Sequence, residues 1–210
     1  MASTKHDRAW QIERWFARHA DGDFVFADRD STYAVLGPAS RPGPIIYTTK
    51  RHAIGRAIGE SRNGSKLGLI AHRGLPHAAD LTWIRKVVAG QRVFFLGDLD
   101  PADLLIFAWL RLRLRPTRLT HLGISDSYLA ALKAKVPPSF HIRYSPTEEA
   151  SLRLLAEAFA DWPAVVGPQC AALVEQQKKI ELEAVVSALG SAGPLLGPVL
   201  KPPRAGRAPR

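Results

Sequence analysis

Two aspartates stand two residues apart in the segment GDLDPAD, directly after the apolar run VFFLG (93–97). Asp98 and Asp100 offer hard oxygen donors at the end of a buried strand. Such a pair suits Mg²⁺ (or Mn²⁺), which keeps several waters and needs only one or two carboxylates. The same letters also spell a helix start, with Asp100 at the N-cap, Pro101 at the first helical position and Asp103 in the first turn. That accounts for Asp100 without a metal. It leaves Asp98, because a carboxylate at the end of a buried strand needs a partner. Three more polar groups follow apolar runs: Thr49-Lys50-Arg51-His52, His72-Arg73-Gly74 and Ser125-Asp126. Lys50, Arg51, His72 and Arg73 are of types that contact phosphate. The segment RLRLRPTR (111–118) adds Arg111, Arg113 and Arg115; Arg111 and Arg115 are i, i+4 if helical, and all three share one face if extended. No Ser-His-Asp set, P-loop or dinucleotide glycine motif occurs.

Regular elements must hold these residues. From Ile45 the chain alternates short apolar runs with amphipathic segments: strands at 45–49, 67–71, 93–97 and 119–123, helices at 51–59, 77–89, 101–113 and 125–135. This order predicts an α/β fold, with a parallel four-stranded sheet covered by helices on both faces. Ligands of such sheets bind beyond the carboxyl ends of the strands, where all four polar groups fall. Residues 7–19 predict a helix carrying Trp10, Ile12, Trp15 and Phe16, and 24–36 a hairpin around DRDS. The run PASRPGP (38–44) marks a boundary after this extension, 1–43. The main domain is then 44–189, with a further strand at 140–144 and helices at 147–161 and 168–189. Residues 190–210, rich in Pro and Gly, read as a disordered basic tail.

The chain has 210 residues, 46% of them hydrophobic and 23% charged, which is globular composition. Its single cysteine, Cys170, excludes an internal disulfide and a Cys-rich zinc site, and favours a cytoplasmic setting. No apolar run is long enough to span a membrane, and MASTKHDRAW lacks a signal-peptide core. The net charge of +10 favours a polyanionic partner, DNA first.

VFFLGDLDPADLLIFAWLR resembles the DxD strand–loop–helix of Toprim domains. The variety it resembles is that of topoisomerase VI A subunits, meiotic break-forming transesterases and the nuclease subunit of Wadjet anti-plasmid systems. IIYTTKRHAIGRAI is similar to the first strand and helix of that variety, and GLIAHRGLPHAADLTWIR to the second strand, loop and helix. LTHLGISDSYLAAL resembles its LGL-x-x-S-D segment. EQQKKIELEAV (175–185) resembles its Lys-x-Glu-x-Glu helix.

The resemblance implies a Toprim fold holding Mg²⁺ beside DNA, with Asp98 and Asp100 as ligands. In that family a Glu at the first strand end joins the DxD pair. Here the matching position is Thr49, or Thr48 if the register slips by one. Asp126 is the best-placed substitute acid, ahead of Asp103 and Glu60. The family's transesterases also use a Tyr on a winged-helix domain, and none of Tyr33, Tyr47, Tyr128 and Tyr144 lies in such a unit. Two functions stay open: a Mg²⁺-dependent nuclease completed by Asp126 or a protein partner, and a degenerate DNA- or protein-binding module. A generic doubly wound phosphotransfer domain is disfavoured, because its Asp-x-Asp would follow the first strand.

Overall fold

The computed structural model describes residues 5–18, 33–40, 42–114 and 119–200. The central sheet is built from β1 (Ala34–Leu36), β2 (Pro44–Thr48), β3 (Gly68–Ala71), β4 (Arg92–Phe95) and β5 (Leu119–His121). Their spatial order is β1-β3-β2-β4-β5. The last four are parallel, and β1 runs antiparallel along the outer edge of β3. The sheet therefore has five strands rather than four. The fifth comes from the segment expected to form a separate hairpin. The first half of that hairpin, 24–27, lies outside the described residues.

β2 and β3 are buried along nearly their whole length, which explains why PIIYT and GLIA show no polar alternation. Helix α2 (Arg51–Glu60) carries the chain from β2 to β3, α3 (Leu81–Val88) from β3 to β4, and α4 (Pro101–Arg113) from β4 to β5. β2 thus connects towards one edge of the sheet and β4 towards the other. Right-handed crossovers put α2 and α4 on opposite faces under this reversal. The helix contacts agree. α4 packs with α1 (Lys5–Arg18) and α6 (Pro146–Ala158), while α2 packs with α9 (Leu182–Leu189) and the 3₁₀ turn Gly193–Leu196. The point between β2 and β4 where the direction reverses is the crevice in which open α/β sheets hold ligands.

Several expectations need correction. α1 buries Ala9, Ile12 and Phe16, whereas Trp10 is 49% exposed. Glu13 clamps this helix to α4 by accepting from Trp109 Nε1 (2.8 Å) and from the Arg113 guanidinium. The segment 168–189 is not one helix. It divides into α8 (Pro168–Glu175), the short strand β7 (Lys178–Lys179) and α9, after α5 (Asp126–Leu132), β6 (Ile142–Arg143), α6 and α7 (Trp162–Val166). β6 pairs with β7 in a separate two-stranded ribbon instead of extending the sheet. Gln177 breaks the helix by adopting a left-handed φ of 57°.

Residues 190–200 are not a disordered tail. They form the 3₁₀ turn Gly193–Leu196 and α10 (Gly197–Leu200). Leu195, Leu196 and Val199 are fully buried against α2 and α5. Pro194 falls in the first turn, where its missing N–H costs nothing. Residues 201–210 lie outside the described residues. No single helix among the described residues is long and apolar enough to cross a membrane.

Candidate functional site

β2 and β4 end side by side, which brings Thr49 and Lys50 after β2 against Asp98 and Asp100 after β4 and Asp103 in the first turn of α4. Oxygens of the three aspartates lie within 4.8 Å of one another, and all three residues are buried. The sequence builds this group tightly. Asp100 caps α4 as its spelling predicts, accepting from Asp103 N–H at 2.7 Å. Asp103 turns back to accept from Asp98 N–H (2.7 Å) and from Thr49 Oγ1 (2.9 Å to either oxygen). Gly97 permits this approach, since a Cβ there would stand 2.5 Å from Asp103 Oδ2. Thr48 Oγ1 accepts from Lys50 N–H (2.9 Å), which fixes the turn out of β2.

Both oxygens of Asp98 have partners. Oδ1 accepts from Leu182 N–H at 2.8 Å, so the carboxylate closes the first turn of α9 from outside that helix. The N-cap residue of α9, Glu181, supplies no side-chain cap of its own. A helix N-terminus favours such an anion. Oδ2 forms an ion pair with Lys50 Nζ. Asp98 is 1% exposed and the Lys50 side chain 27%.

Burial pushes both Asp98 and Asp100 above the ordinary carboxylate range. For Asp100 the second cause is the neighbouring Asp103, and its pKa reaches about 7. Burial alone would lower the pKa of Lys50, but Asp103, Asp98 and Asp100 outweigh it and hold the ammonium charged. Three acids thus share one tethered cation.

Three hard oxygen donors suit Mg²⁺ by type. The arrangement does not fit one while Lys50 is in place. Both oxygens of Asp98 are already engaged, one with Leu182 N–H and one with the Lys50 ammonium, Asp103 accepts from an amide and a hydroxyl, and Asp100 spends one oxygen on its cap, so a cation would have to compete with Lys50. Thr49, at the position where the resemblance implies an acid, serves only as a donor to Asp103.

The other sequence-predicted residues divide. Asp126 does not join the cluster. Its carboxylate accepts from the backbone N–H of Gln169 (2.8 Å) and Cys170 (2.9 Å), capping α8. Glu60 does the same for the turn at 193, accepting from Ala192 N–H (2.7 Å) and Gly193 N–H (3.0 Å). His72 is buried, stacked 4.2 Å from Tyr33, with Nδ1 beside the Gly74 carbonyl, so it does not face solvent as a phosphate contact must. Arg111 pairs with Asp161 and covers the ring of Phe159. Arg113 pairs with Glu13. The shared arginine stripe is absent because the helix continues to Arg113 and turns the two residues apart. Arg115 lies outside the described residues. Arg51 and Arg73 are exposed beside the strand ends.

Sequence reasoning missed a second polar group next to Asp100. Glu148, 3% exposed, accepts from Lys179 Nζ at 2.9 Å and closes the capping box of α6 with Ser145. Tyr144 is buried alongside. Burial, and then the nearby Asp100 and Glu148, raise its phenol pKa far above the usual range. The S-P-T-E spelling of the capping box is the signal that could have found Glu148.

Fold and site together define an α/β protein with an open, mostly parallel sheet and a buried cluster of three aspartates at its switch point. No protein-family model matches the chain, and no curated protein matches it in sequence.

Proposed function

We propose that this chain is a Toprim-like DNA-binding module whose acidic centre is neutralised by its own Lys50 instead of a divalent cation, and which does not cleave DNA unaided. The observation that carries the reading is the ion pair between Lys50 and Asp98, formed while Asp98 also closes α9. A carboxylate held from both sides by protein has a structural role, and Thr49 adds no acid in compensation. The net charge of +10, with Arg51 and Arg73 exposed at the strand ends, supports a nucleic-acid partner.

The test uses supercoiled plasmid with Mg²⁺ or Mn²⁺. The expected result is a mobility shift without nicking, and no divalent dependence of the shift beyond ionic strength. Nicking by the wild-type protein that Asp98→Asn abolishes would overturn the reading.

A second reading is favoured by the three converging carboxylates. It is a Mg²⁺-dependent phosphodiester hydrolase in which a partner or substrate draws Lys50 away. Its signature is nicking that appears only when that partner is added. Thr49→Glu separates the two readings: a module that lost its chemistry with the acid gains divalent affinity in this variant.

A further inference from the structure

The ribbon of β6 and β7 has a charge pattern that the fold does not explain. In its antiparallel register Ile142 faces Lys179 and Arg143 faces Lys178. Directly opposed residues share one side of a ribbon, and successive residues alternate. Lys179 is on the inner side, bound to Glu148 and within 3.5 Å of Glu181. Arg143 and Lys178 are together on the other side. His141, two residues before Arg143, belongs to that side as well; burial, and then Lys178, lower its pKa.

Like charges directly opposed destabilise a strand pair. Among the described residues neither Arg143 nor Lys178 forms an ion pair. Lys178 reaches only the neutral Gln176 Oε1, at 3.2 Å. Glu181, the acid that follows β7 in sequence, is engaged by Lys179 on the inner side. The ribbon is fixed to the crevice: Leu99 N–H donates to the Ile180 carbonyl at 2.9 Å, and the next helix starts on Asp98. Phe140, just before the ribbon, is 40% exposed, and Ile142, which shares a side with Lys179, is 43% exposed, so that side is only partly covered. On the ribbon's outer side Arg143 is exposed and Lys178 half-buried, a cationic surface beside the switch point with no ion pair among the described residues.

We infer that the outer side of this ribbon, Arg143 with Lys178, is a contact surface for the phosphate backbone of duplex DNA. The inference rests on the DNA-binding reading above and names the part of the surface that does the binding. Two long basic side chains from adjacent strands reach neighbouring phosphates, and the phosphates relieve their mutual repulsion. An acidic protein segment would need carboxylates at matched spacing, whereas a duplex presents charge at every step.

The experiment measures binding of the full chain to a labelled 20-base-pair duplex by fluorescence anisotropy across a salt series. The proteins are wild type, Arg143→Ala/Lys178→Ala and the charge-retaining Arg143→Lys/Lys178→Arg. Circular dichroism melts check that all three fold. Each phosphate contact contributes about 0.9 to the slope of log K against log salt, so the alanine variant is expected to lose about 1.8. With equal affinities at 1 M salt, that is about a 60-fold loss at 0.1 M. The charge-retaining variant is expected to keep the wild-type slope. An alanine variant with unchanged slope and affinity overturns the ribbon's role and leaves the DNA-binding reading standing. A wild-type protein that binds no duplex at low salt overturns both.

Discussion

Replacing Lys50 by Met removes the ammonium but keeps most of the apolar stem, so the loss is largely electrostatic. Removing one partner of a buried ion pair costs ~3–5 kcal/mol. Here Asp98 is fully buried but the lysine side chain is 27% exposed, and Asp98 keeps its bond from Leu182 N–H. The low end, about 3 kcal/mol, is therefore expected at pH 8. For a chain of this length that is a fall in melting temperature of roughly 6–12 °C. The loss shrinks at pH 5, where Asp98 and Asp100, whose pKa values burial raises, take up protons and no longer need the cation. Three carboxylates left without a counter-charge form the kind of oxygen cluster that a divalent ion stabilises. Mg²⁺ or Mn²⁺ at a hundred times its dissociation constant would return about 2.7 kcal/mol. Urea denaturation with EDTA, then with each metal, reads every term. The reasoning is refuted if Lys50→Met is as stable as wild type in EDTA. It is refuted equally if the wild type gains as much from divalent ions as the variant does.

Three further predictions concern the same acids and the segment they hold. Asp100 binds its proton more tightly in the fold than in the unfolded chain, so its contribution to stability falls as pH rises from about 4 to about 7 and levels off above. Asp100→Asn keeps the cap without the charge. It is expected to be more stable than wild type at pH 8 by up to ~4 kcal/mol and no more stable at pH 4, measured by denaturation at the two values. Asp126→Ala removes both acceptors at the start of α8 and is expected to cost ~0.5–2 kcal/mol, with faster amide exchange at Gln169 and Cys170. Leu196→Ala leaves a cavity in the interface with α2 and is expected to cost ~2–5 kcal/mol in a thermal melt, whereas a mobile tail would give no change.

The alternation of strands and helices was legible because β2, β3 and β4 are unbroken apolar runs and because Asp100-Pro101 and Ser125 spell helix starts that the fold uses. What stayed hidden is of one physical kind. Periodicity shows which side of an element faces inward, but it cannot show which charge an acid meets across space. Asp98, Asp126 and Glu60 each look like spare carboxylates, and each turns out to end on a helix start far along the chain. Lys50 looks like a surface cation and is the counter-ion of the crevice. The same blindness made 190–200 look unstructured. Its glycines and prolines suggest a loop, yet Leu195 and Leu196 find α2, and Tyr128 Oη donates to the Leu195 carbonyl at 2.9 Å. The helix expected across 168–189 failed because strand β7 and the Asp98 cap impose a break that local spacing does not encode.

Asp126 at the start of α5, Asp98 in the loop after β4 and Glu60 at the end of α2 hold the starts of α8, α9 and the turn at 193, across separations of 43, 84 and 132 residues. A chain wired in this manner cannot finish its last quarter before its first three. The helix starts have no side-chain caps of their own, so their anchors exist only once α2, α5 and the loop after β4 have formed. Assembly then ends with the carboxyl-terminal helices closing over a completed platform, a late step that long-range pairings make slow.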